Sequence, residues 1–96
     1  ENISQLTPEG FELNQNYPNP FNPKTTISWN LTKPDKVTLK IFDSLGREII
    51  TLIDDYYESG FHSSTFNTNS KFSSGVYFYR LSTQDYSVTK SMVLLK

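Results

Sequence analysis

The sequence predicts an all-β domain, an antiparallel sandwich of about seven short strands, on three observations. More than a third of its 96 residues are Val, Ile, Thr, Tyr, Phe or Trp, and alanine is missing altogether. Branched and aromatic side chains fit a pleated, half-buried surface, and a chain so poor in helix formers has little to build helices from. Apolar and polar residues alternate strictly over several windows, as strands with one face in a core require. Between those windows Gly, Pro, Asn and Asp recur at short intervals, the spacing of a sandwich, and no repeat of solenoid length is present.

Glu1 to Gly10 carry no periodicity and contain Pro8 and Gly10, so they read as a linker from a preceding domain, with the folded unit at 11–96. A first strand fits Phe11 to Asn16, where Phe11, Leu13 and Gln15 alternate with Glu12, Asn14 and Asn16. Pro18, Pro20 and Pro23 follow within six positions. Each fixes φ, removes a backbone donor and pushes its predecessor toward extended geometry, which predicts a stiff, polyproline-like stretch with Asx turns at Asn19 and Asn22.

From Thr25, the residues Ile27, Trp29 and Leu31 share one face, and Lys33-Pro34-Asp35 turns the chain. Val37, Leu39 and Ile41 repeat the alternation up to Phe42. Asp43-Ser44-Leu45-Gly46 has an Asp to open a type I turn and a Gly to take positive φ, so a hairpin with a G1 bulge should return the chain through Arg47 to Ile53. Asp54 to Gly60 reads as a polar loop, Phe61 to Phe66 as a weaker strand, and Asn67 to Ser74 as a second loop. Gly75 opens Val76 to Leu81, where Tyr77, Tyr79 and Leu81 share a face and Tyr77 stands where a tyrosine corner would. After Thr83-Gln84-Asp85 a last strand spans Tyr86 to Lys96, with Met92 to Leu95 apolar on both faces.

Nine basic against ten acidic residues give a net charge of −1 without a basic run, which argues against nucleic acid as a partner. Cysteine is absent, so neither a disulfide frame nor a thiolate metal site is available. No apolar stretch approaches a membrane span and no signal-peptide core is present, so an export signal, where the parent protein has one, is expected upstream. His62 is the single histidine, and its neighbours Ser63 and Ser64 on a strand cannot complete a nucleophile–base pair with it; it is expected at a surface or loop end. Asp54, Asp55 and Glu58 lack the alternating spacing of a calcium loop. The expectation is therefore no enzyme, no cofactor and no metal. Trp29, in phase with Ile27 and Leu31, reads as core. Tyr56, Tyr57 and Tyr86 offer the one aromatic platform on which an alternative, a carbohydrate-binding or structural spacer module, would rest.

The run Asn16-Tyr17-Pro18-Asn19-Pro20-Phe21-Asn22-Pro23, followed by Thr25-Thr26-Ile27, resembles the opening of the carboxy-terminal sorting domains of the type IX (Por) secretion system of Bacteroidetes, in their type A form. Ile41-Phe42-Asp43 with Gly46-Arg47, then Gly60, Gly75-Val76-Tyr77 and the stretch Lys90 to Lys96, continue the resemblance in order. It implies an immunoglobulin-like sandwich appended to a secreted enzyme or adhesin. It further implies that the upstream cargo crosses the inner membrane by its own signal peptide and that the outer-membrane translocon recognises the folded tail. A surface sortase would then cut ahead of the domain, within or before residues 1–10, and join the cargo to lipopolysaccharide, which makes the destination secreted or cell-surface. On this basis Gly46, Arg47, Gly75, Tyr77, Lys90, Met92, Val93, Leu94, Leu95 and Lys96 are expected to build the recognised face, with the terminal strand open to β-augmentation or to an edge-strand dimer. The opposing expectation is that Met92 to Leu95 only complete the core.

Overall fold

The computed structural model describes residues 11–96, and the expected linker at 1–10 lies outside the described residues. Seven strands form: β1 (Phe11–Leu13), β2 (Lys24–Leu31), β3 (Asp35–Phe42), β4 (Glu48–Tyr57), β5 (Gly60–Asn67), β6 (Gly75–Ser82) and β7 (Ser87–Leu94). They make two sheets, ordered β1-β2-β5 and β4-β3-β6-β7, with every strand pair antiparallel. The all-β sandwich is as the alternation predicts.

The core lies between the sheets. Thr25, Ile27, Trp29 and Leu31 point inward from β2, Val37, Leu39 and Ile41 from β3, Tyr77, Tyr79 and Leu81 from β6, and Met92 and Leu94 from β7. Each such apolar side chain contributes about 1.5–3 kcal/mol on burial, which is why the period-2 pattern decides the register. Trp29 is fully buried and meets Tyr57 edge-on at 5.6 Å between ring centroids. Phe42 lies on the other face of β3, yet it too is buried, because the Arg80 guanidinium covers its ring at 4.5 Å.

The hairpin between β3 and β4 forms as its residues require. The Gly46 amide donates to the Asp43 carbonyl (2.9 Å), the Asp43 amide donates to the Arg47 carbonyl (3.0 Å), and Gly46 sits at φ +84°. That is a type I turn closed by a G1 bulge. Asp43 Oδ1 also accepts from the Leu45 and Arg47 amides, both at 2.9 Å, so one carboxylate satisfies two turn donors.

Three boundaries differ from the sequence reading. β4 continues through Asp54-Asp55-Tyr56-Tyr57, leaving only Glu58-Ser59 as the turn, because Asp55, Tyr56 and Tyr57 pair with Val37, Lys36 and Asp35 of a buried neighbour strand. β1 stops at Leu13, since the chain leaves the β2 edge to enter the proline run. That run is bent and not a polyproline rod: Tyr17 bridges Thr26 in antiparallel fashion, Phe21 bridges Leu94 in parallel fashion, and cis peptides precede Pro18, Pro20 and Pro23.

Candidate functional site

The signature run begins in a buried polar knot. The Asn16 amide donates to Tyr79 Oη at 2.9 Å, and that hydroxyl donates to the Asn14 carbonyl at 2.8 Å. Asn16 Nδ2 donates to Thr25 Oγ1 (2.9 Å) and to the Pro18 carbonyl (3.2 Å), to which Thr25 Oγ1 also donates (2.8 Å). Asn16, Thr25 and Tyr79 are all buried, so each polar atom in the knot must find its partner there. Desolvation pushes the Tyr79 phenol up to about 12, with the Asn16 amide pulling partly the other way.

Beyond the knot the run lies along the outer edge of β7. Gln15 Nε2 donates to the Ser91 carbonyl (2.8 Å), and Asn19 Oδ1 accepts from the Val93 amide (2.9 Å). The Phe21 amide then donates to the Val93 carbonyl (2.9 Å), and the Leu95 amide donates to the Phe21 carbonyl (3.0 Å). The Phe21 ring anchors this strap in the core, 6.2 Å from that of Phe66. The edge expected to be open is thus closed from Ser91 to Leu95.

At one end of the four-stranded sheet the β3–β4 hairpin meets the loop before β6. Asp43, Ser44, Leu45, Arg47 and residues 73–77 line a groove of about 210 Å³. Arg47 Nε donates to Asp43 Oδ2 at 2.7 Å on an exposed surface. The Arg47 amide, ahead of its guanidinium, holds the Asp43 carboxyl below its ordinary value. Tyr77 Oη donates to the Ser73 carbonyl (2.8 Å), the hydroxyl-to-backbone bond of a tyrosine corner. Lys96 ends beside the groove, its amide donating to Ser74 Oγ (2.9 Å) and its Nζ to the Ser70 carbonyl (3.2 Å).

The structure therefore brings Gly46-Arg47, Gly75-Tyr77 and the last residues to one end of one sheet, though they lie in three separate stretches of the chain. It divides the terminal residues: Met92 and Leu94 are fully buried, Lys90 and Val93 are half-buried, and Leu95 and Lys96 are exposed. Met92 and Leu94 thus complete the core. Sequence reasoning missed the knot and the strap. Polar residues that interrupt a strand just before three prolines were the available signal, since Asn and Gln side chains substitute for backbone groups where proline has none.

The remaining candidates fall elsewhere. His62 stands at the turn end of β5, half-buried, with Nε2 donating to the Glu58 carbonyl at 2.7 Å and its ring 4.8 Å from Tyr57; of the two places expected for it, the structure gives the loop end. Tyr57 is turned toward Trp29, which leaves Tyr56 and Tyr86 as the exposed tyrosines of the expected platform. A second cleft, about 450 Å³, opens at the other end of the sheet among Lys36, Thr38, Ser82, Thr83 and Gln84. Among the described residues no group of three His, Asp or Glu side chains could hold a metal ion.

The family of secretion system C-terminal sorting domains matches residues 15–95, from Gln15 at the start of the strap to Leu95 at the end of the edge it covers. The chain belongs to that family. As a type IX sorting domain it serves the secretion machinery as the signal of an attached upstream cargo, and it marks that cargo for export to the cell surface or beyond. Sorting-signal domains are not catalytic. Among solved structures, that described as dimeric latent PorU from Porphyromonas gingivalis is similar, with a TM-score of 0.71 at 17% identity. The match covers 94% of this chain and 10% of that one, so the likeness is one of fold, consistent with an immunoglobulin-like sandwich. No curated protein matches the sequence.

Proposed function

We propose that the outer-membrane type IX translocon grips this sorting domain at the groove end of the four-stranded sheet. The exposed side chains of Leu45, Arg47, Leu95 and Lys96 form the contact, while Gly46, Gly75, Tyr77, Met92 and Leu94 set its shape from beneath. One observation carries the reading: sequence-distant family landmarks and the last residues of the chain converge on one groove. A signal shared by unrelated cargoes must offer one shape, and this end is fixed by the Asp43 turn, the Tyr77 corner and the Lys96 contacts together. Once the cargo is outside, a surface sortase cuts ahead of residue 11 and joins the cargo to lipopolysaccharide; the domain itself contributes recognition and no catalytic step.

A reporter with its own signal peptide, fused ahead of residue 1, tests this in hosts with and without the system. Surface appearance is expected only where the system is intact, and it should be lost in the double variant Arg47→Ala/Leu95→Ser while the domain stays folded. Undiminished export of that folded variant removes the groove from the contact.

A further inference from the structure

The strap does not cover the whole edge of β7. Val93 turns both its amide and its carbonyl away from β6, so the alternation of an antiparallel ladder turns those of Ser87, Thr89 and Ser91 the same way. Four consecutive outward groups, from the Ser91 carbonyl to the Leu95 amide, are held by the strap. Among the described residues, the outward groups of Ser87 and Thr89 have no partner.

The strap is also a poor strand. Only Phe21 offers a main-chain pair; Ser91 and Val93 are held by the side-chain amides of Gln15 and Asn19 at an exposed surface. Pro18 and Pro20 have no amide to give, and Tyr17 to Pro20 are exposed. The two ends are different, because Phe21 is buried and the knot around Tyr79 is buried. The middle can therefore let go while both anchors stay.

We infer that the outer edge of β7 is a strand-docking site guarded by the signature run. Its partner is an extended peptide segment that pairs first with Ser87 and Thr89 and then replaces the Gln15 and Asn19 side chains at Ser91 and Val93. Phe21 remains in place and ends the new ladder. That the edge accepts an extended segment is visible in Phe21 itself, which already pairs with it as a one-residue strand. The inference rests on the sorting reading above and adds how the terminal strand is engaged and held closed beforehand.

The test uses the same reporter fusion. Thr89→Pro removes one outward amide and leaves the bonds to β6 intact, a substitution edge strands tolerate. Export is expected to fall at least tenfold with Thr89→Pro and to be restored by Thr89→Ala, which returns the amide. Where Thr89→Pro lowers the melting temperature by more than 10 °C, Ser87→Pro is read in its place. The strap arm is independent of both. In Asn19→Ala, which leaves the knot untouched, the Val93 amide should exchange at least tenfold faster, with export equal to or above that of the unaltered domain.

Unchanged export of a folded proline variant, or export lost in the folded strap variant, overturns the inference. Surface appearance of the unaltered fusion in the host lacking the system overturns the sorting reading instead, and the two failures are distinct.

Discussion

Replacing Tyr79 by Phe removes one oxygen and tests the knot that starts the strap. The hydroxyl accepts from the Asn16 amide and donates to the Asn14 carbonyl, so Tyr79→Phe leaves one donor and one acceptor unpaired around a fully buried ring. Each such orphan costs about 1–3 kcal/mol, and two give roughly 2–4 kcal/mol after partial relaxation. For a domain of this size whose whole stability is about 5–15 kcal/mol, the loss should lower the melting temperature by about 10–25 °C. Thermal and urea unfolding followed by circular dichroism measure it.

A pH series supplies the second half of the test. The folded phenol titrates near 12, above the value of about 10 in an unfolded chain, so the folded state keeps a proton that the unfolded state releases. The stability it contributes is complete below pH 10 and disappears as pH rises through 12. The gap between wild type and Tyr79→Phe should therefore narrow by up to about 2–3 kcal/mol across that window. A variant within 0.5 kcal/mol of wild type at pH 7, or a gap that stays flat between pH 10 and 12, would refute the account of the knot.

The hairpin yields two more expectations. Gly46→Ala meets no atom within 4 Å, so only the left-handed backbone at φ +84° resists it, and a loss of about 1 kcal/mol in urea unfolding is expected. Asp43→Ala should destabilise the turn at pH 7 by freeing the Leu45 and Arg47 amides. The Asp43 carboxyl is held below its ordinary value, so its contribution is present above about pH 4 and is lost as pH falls further. The difference between the two proteins should vanish in acid, and equal unfolding at pH 7 would count against the turn's role.

The fold was legible because the burial of one face fixes a period of two. Ile27-Trp29-Leu31, Val37-Leu39-Ile41 and Tyr77-Tyr79-Leu81 are apolar at alternate positions and all lie in the core. β4 was not legible past Ile53, because it is an edge strand: Asp54, Asp55 and Tyr56 are solvent-exposed, and main-chain pairing to β3 keeps them extended where composition suggests a loop. The groove end was legible in part, since glycine and tyrosine landmarks carry their conformational reasons with them. The strap was illegible for a different reason. Its partners lie 74 to 76 positions away for Asn19 and Gln15, and no local pattern encodes which edge a proline-rich segment will cover.

That distinction separates two kinds of residue within the signature run itself. Phe21 is 2% exposed and packs on Phe66, so Phe21→Ala should cost about 3–5 kcal/mol, the price of a large core truncation. Tyr17 is 80% exposed, and its place in the fold comes from its backbone, which exchanges bonds with Thr26 at 3.0 and 2.9 Å. Alanine keeps that backbone, so Tyr17→Ala should change stability by less than about 0.5 kcal/mol, as surface truncations do. Urea midpoints of the two variants, measured side by side, decide the matter, and similar losses would mean that the ring of Tyr17 is held by the domain after all. If the prediction stands, Asn16, Asn19 and Phe21 are the positions of the run that the fold itself uses. Tyr17, whose ring the fold leaves free, is then the position of the run whose side chain the fold does not need.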